Sequence, residues 1–174
     1  AGWHRARGAG IRVPGTHSIN LACSGALTTS MWSTRLLDFG QYKPGLDDGA
    51  VDPSFGRRAP GQLTLLARVA RQAPIGTIVL SIGGNDMGFG EVMVACISAF
   101  MRPWPFEARC KDDPEVRRRL SDESLAAVER KVEAAIVRVH GVMADAGYAN
   151  GSWQMIVQGC PRQIAEDARY PDTY

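Results

Sequence analysis

The 174 residues suit one domain with room for a core, and 45% hydrophobic with 22% charged residues matches ordinary globular chains. A formal charge of +2 is too small to point to a nucleic-acid partner, and Arg57-Arg58 and Arg117-Arg118-Arg119 sit near acidic residues as solvated faces. No apolar run is long enough to cross a bilayer, which excludes a transmembrane segment, and residues 1–8 carry neither an initiator Met nor a signal-peptide core.

Residues 1–16 hold Gly, Arg and a Pro-Gly turn without periodicity and read as irregular. Ser18 to Cys23 reads as a short strand, Ser24-Gly25-Ala26 as a tight turn, and Thr28 to Leu37 as a helix. At such a corner Gly25 exposes a backbone N–H beside a helix N-terminus, a position suited to anions; a plain strand-to-helix turn would also need a small residue there. Residues 39–61 shift to Gly, Pro, Asp and Arg and read as a long loop. Gln62 to Ala73 reads as a helix with Leu63, Leu66, Val69 and Ala70 on one face, stopped by Pro74 and Gly76.

Thr77 to Ile82 is a β-branched run, read as a strand buried on both faces. It ends in Gly83-Gly84-Asn85-Asp86, where glycine permits a sharp turn at the carboxyl edge of the sheet. In open α/β sheets ligands bind at that edge, so the turn aims the Asn85 amide into a crevice. Phe89 to Phe100 follows as a short helix or turn leading into the cysteine loop. Asp113-Pro114 then supplies a cap and a first-turn proline, for an element that breaks near Ser121.

A long helix starts there, carrying Leu125, Val128, Val132, Ala135, Ile136, Val139, Val142 and Met143 at helical spacing, with Gly147 as its C′ residue. His140, near its end, reads as structural or exposed. Trp153 to Gln158 is a third apolar strand. Strands separated by helices require parallel pairing, so the class is α/β with a crevice near Gly25 and Asn85.

Four cysteines permit three connectivities. Cys96 and Cys110 enclose a Pro- and aromatic-rich segment, and a disulfide there would stabilise by roughly 3 kcal/mol and favour an oxidising compartment. Two buried thiols are the alternative. No CxxC or HxxxH spacing points to a metal.

The two junctions together resemble the SGNH (GDSL-like) esterase and lipase family, in its secreted actinobacterial branch. Asn20-Leu21-Ala22-Cys23-Ser24-Gly25-Ala26 is similar to the family's second block, and Ile82-Gly83-Gly84-Asn85-Asp86-Met87-Gly88-Phe89 to its third. The resemblance implies a flavodoxin-like three-layer α/β fold with a parallel sheet, formed by a single domain over residues 1–174. It implies hydrolysis of a small-molecule ester, a lipid or an acylated sugar by an extracellular enzyme, with no metal or organic cofactor. The Gly25 N–H and the Asn85 side-chain amide would be two oxyanion-hole donors, and Asp86 would fix the turn.

The family's first block, Gly-Asp-Ser, and its last, Asp-x-x-His, have no counterpart. Pro14 precedes His17 by three residues, Val137 precedes His140 and Ala1 precedes His4. The expectation is therefore a chain truncated at both ends, without nucleophile or base, lacking a central strand between residues 18–23 and 77–82. Such a chain would be inactive and unstable alone unless a complementing chain supplied the strand. Cys23 and Cys160 would then be orphaned. A noncatalytic carbohydrate- or lipid-binding module is the alternative.

Overall fold

The structure, a computed structural model, describes residues 17–23, 25–32, 42–43, 45–47, 50–51, 58–102 and 109–159. Helix α1 (Gln62–Gln72) buries Leu63, Leu66, Val69 and Ala70, the predicted face. No side chain caps its start. Instead the Gly45 and Asp47 carbonyls accept from the Gln62 and Leu63 amides at 2.9 and 3.2 Å. Those amides have no intrahelical acceptor, so the preceding loop satisfies them.

Helix α4 (Asp122–Asp145) starts at Ser121, whose hydroxyl accepts from the Ser124 amide, and buries Ala135, Val139 and Met143 one turn apart. It stops as predicted at Gly147, which takes φ +89°. The Gly147 amide donates to the Ala144 carbonyl and the Tyr148 amide to the Met143 carbonyl, at 2.9 and 3.1 Å, which closes a Schellman motif. The Tyr148 hydroxyl accepts from the Ile75 amide at 2.9 Å and donates to the Ala73 carbonyl at 3.0 Å. The end of α4 is thereby fastened to the end of α1.

Between these helices in sequence lies β5 (Thr77–Leu80), paired in parallel with β6 (Gln154–Val157) from Thr77↔Gln154 to Leu80↔Val157. A helix-bearing connection enforces that direction. Leu63, Leu66, Ala70, Leu80, Ala135, Val139 and Met143 form the core, with Ile78, Ile82 and Met155 packed against it. Strand β5 was expected to be buried on both faces and is not. Ile78 and Leu80 turn inward, whereas Val79 is 63% exposed and Ile156, directly across from it, 52%. Among the described residues one helical layer covers the sheet, and its other face is open.

Helix α2 (Phe89–Phe100), a 3₁₀ turn (Cys110–Asp112) and α3 (Pro114–Arg119) form a satellite unit. The Cys96–Cys110 disulfide joins α2 to the turn, as the spacing suggested. Asp113 caps α3 by accepting from the Glu115 and Val116 amides.

Two further expectations are corrected. Residues 18–23 form no strand; the Asn20 carboxamide accepts from the Ala22 amide at 2.9 Å, a local bond in place of a ladder partner. Nor does a helix follow Thr28. Thr28 and Ser30 bond to distant carboxylates, and Met31–Trp32 (β1) pairs antiparallel with Tyr42–Lys43 (β2). Residues 33–37, the rest of that expected helix, lie outside the described residues, as do residues 1–16 and Cys160. Within the long loop, Ala50–Val51 (β3) pairs with Arg58–Ala59 (β4).

Candidate functional site

The turn after β5 is built from its own backbone. The Met87, Gly88 and Phe89 amides donate to the Gly83, Asn85 and Gly84 carbonyls at 3.0, 3.0 and 3.1 Å. Gly83 adopts φ +101°, and a Cβ there would lie 2.8 Å from Val132 Cγ2 on α4. Only glycine allows both that backbone and that approach. The turn is thus seated on α4, the longest helix among the described residues. Gly88 (φ +79°) lies under Arg119, whose Nη1 is 1.9 Å from where a Cβ would stand. The Arg119 Nε donates to Glu115 at 2.7 Å, so α3 steadies the far end of the turn.

The second junction is a four-residue turn. The Ala26 amide donates to the Cys23 carbonyl at 3.1 Å, and Gly25, third in the turn, has φ +74°. That is the position at which such turns need a left-handed residue. Among the described residues nothing accepts from the Gly25 amide.

Side chains of the first turn reach across to the second. Asn85 Nδ2 donates to the Ala26 carbonyl at 2.9 Å. Asp86 accepts twice from Thr28, at 3.0 Å from its amide and 2.7 Å from its hydroxyl. Thr28 is buried at 4% exposure, so its hydroxyl must find a partner inside the protein. Gly25 and Asn85 therefore lie on adjoining turns. Asp86, expected to fix the turn by hydrogen bonds, accepts two, and both tie the turn to Thr28.

A second clasp holds the same segment from the other side. The Ser30 hydroxyl donates to Asp47 and accepts from the Gly45 amide. The Leu46 amide donates to the Leu27 carbonyl at 3.0 Å. A Cβ on Gly45 would stand 2.3 Å from the Thr29 carbonyl carbon, so the two strands of chain touch backbone to backbone. Leu46 is carried into the core by this contact.

The histidines stand apart from the catalytic pattern. His140 is exposed and tilted against Trp153 at a ring separation of 4.9 Å, and His17 is exposed. His4 lies outside the described residues. Among the described residues no histidine hydrogen-bonds to a serine hydroxyl, and no group of His, Cys, Asp and Glu could hold a metal ion. A cleft of about 540 Å³ between α2 and α3 is lined by Arg102, Arg109, Asp112 and Asp113, away from both glycine turns.

Thr28 and Ser30 were not singled out from the sequence, and Arg119 was read only as part of a solvated basic face. The first two lie in a hydroxyl-rich run, Thr28-Thr29-Ser30, which is a signal for side-chain bonding that helix periodicity obscured.

The chain matches no family model, no curated protein and no solved structure. Geometry and chemistry alone bear on what the adjoining turns do.

Proposed function

We propose that the chain forms the oxyanion-stabilising part of an extracellular serine esterase or lipase of the SGNH type, acting on carboxylic esters. The observation that carries this reading is the bond from Asn85 Nδ2 to the Ala26 carbonyl, which joins the turn of Gly25 to that of Asn85. An amide nitrogen has two N–H donors, and Ala26 engages one. The other, with the Gly25 N–H, forms a pair of neutral donors for one acyl oxygen.

In ester hydrolysis that oxygen gains negative charge as the tetrahedral intermediate forms. Donors fixed beforehand stabilise the charge without reorganising, and removal of one typically costs about 10²–10³ in rate. Asp86 takes no part as acid or base, since both its oxygens accept from Thr28 and its work is to hold the turns together. The reading assigns these residues the electrostatic half of the reaction alone. The nucleophile and base belong to parts of the complete site that Gly25 and Asn85 do not supply. The Cys96–Cys110 disulfide supports an extracellular setting.

Titration with sodium butyrate, a product-like carboxylate, followed by ¹H–¹⁵N NMR tests the proposal. The Gly25 backbone amide and the Asn85 side-chain amide are expected to shift together with one dissociation constant. Asn85→Asp, which has no amide donor, should weaken that response at least about tenfold, the worth of one charge-assisted hydrogen bond. Independent titration of the two groups, or none at all, overturns the reading.

A further inference from the structure

The open edge of β5, the side on which the family resemblance sets a further strand, carries an inference about the chain on its own that does not rest on ester chemistry. The Gln154 amide donates to the Gly76 carbonyl and the Gln158 amide to the Leu80 carbonyl, so even-numbered residues of this strand face β6. Backbone direction alternates along a strand, so the amides and carbonyls of Thr77, Val79 and Ser81 face the opposite edge. Among the described residues nothing bonds to them. Strand edges are ordinarily blunted by a charge, a proline or a bulge. From Ile75 to Ile82 the chain has none of the first two, and the β5–β6 register runs without a bulge.

We propose that this edge pairs with the same edge of a second copy of the chain, antiparallel about a two-fold axis through Val79. Unpaired amides and carbonyls at strand spacing call for another extended backbone, which a lipid or small ligand cannot provide. The edge is also complementary to itself. With Val79 opposite Val79 of the second copy, Thr77 falls opposite Ser81, and every outward-facing residue exchanges both its hydrogen bonds. The result is a four-stranded sheet in the order β6-β5-β5-β6. The exposed Val79–Ile156 pair of each copy then continues across the join as one apolar face. Closed two-fold assembly of this kind is the commonest among soluble oligomers.

The register makes Val79 its own partner, which gives a selective test by sedimentation equilibrium of the full chain. The unaltered chain is expected to reach twice the monomer mass as concentration rises. Val79→Lys and Val79→Glu, changes at an exposed side chain, should each raise the dimer dissociation constant about tenfold or more, because like charges face one another. Mixing the two variants should restore the dimer, as opposite charges then meet. Val79→Pro removes only an outward N–H, so it should stay monomeric while keeping its β5–β6 pairing. A monomer at every concentration overturns the proposal. So does a dimer that the charge variants leave unchanged, since it would form through another face, such as exposed α2.

Discussion

Gly83 concentrates the local physics of the candidate site in one residue. Its left-handed backbone and the 2.8 Å approach of a notional Cβ to Val132 are separate penalties, one conformational and one steric. Gly83→Ala is expected to destabilise by about 2–6 kcal/mol in urea titrations, the sum of typical values for each. Adding Val132→Ala should recover the steric share and leave the conformational one. The Gly-Gly-Asn-Asp turn and the tight turn at Gly25 were readable in the sequence, because glycine marks such positions whatever surrounds it. The bonds from Asp86 to Thr28 were not. Those residues are 58 apart, and nothing in local spacing records which carboxylate a buried hydroxyl will meet.

Among the elements, α1, α3 and α4 were legible because each carries local instructions: an apolar face and a stop in α1, a cap and a first-turn proline in α3, and a face, a cap and a stop in α4. The α3 cap is reinforced by charge. A hydrogen bond from Arg118, with a further one from Arg119, holds the Glu115 carboxyl below its ordinary range. A carboxyl whose folded value is depressed stabilises above its unfolded value, and that contribution is lost as pH falls through the folded one. Carboxyl NMR titration should therefore place Glu115 lower than a free glutamate, and Arg118→Gln should return it toward normal. Added salt should shrink the difference, since the pair is open to solvent. The misread elements, a strand at 18–23 and a helix from Thr28, depend on partners instead. A strand without a neighbour has no ladder, and Asn20 offers its backbone a local alternative. Burial of β5 on both faces was inferred from β-branched composition, which reports apolarity and says nothing of how many layers arrive.

At the scale of the molecule, the core lies on one side of a two-stranded parallel sheet, while such sheets are ordinarily covered on both. Thermal melting followed by circular dichroism is expected to give a broad, low transition for this chain, and a sharp cooperative one would count against an incomplete sheet. Reduction of Cys96–Cys110 should loosen α2 from the 3₁₀ turn and lower stability by roughly 3 kcal/mol, the loop-entropy value. Hydrogen exchange should then rise in α2 and α3 before it rises in α1 and α4, whose shared core the bridge does not touch.

The bond between Asn85 and Ala26 spans 59 positions of the chain. During refolding, α4 can coil from neighbouring residues within microseconds, whereas the two glycine corners must wait for a long diffusive search. Stopped-flow traces should accordingly show ellipticity returning first and the contact between the two turns last, so that a nascent chain is shaped before its corners meet.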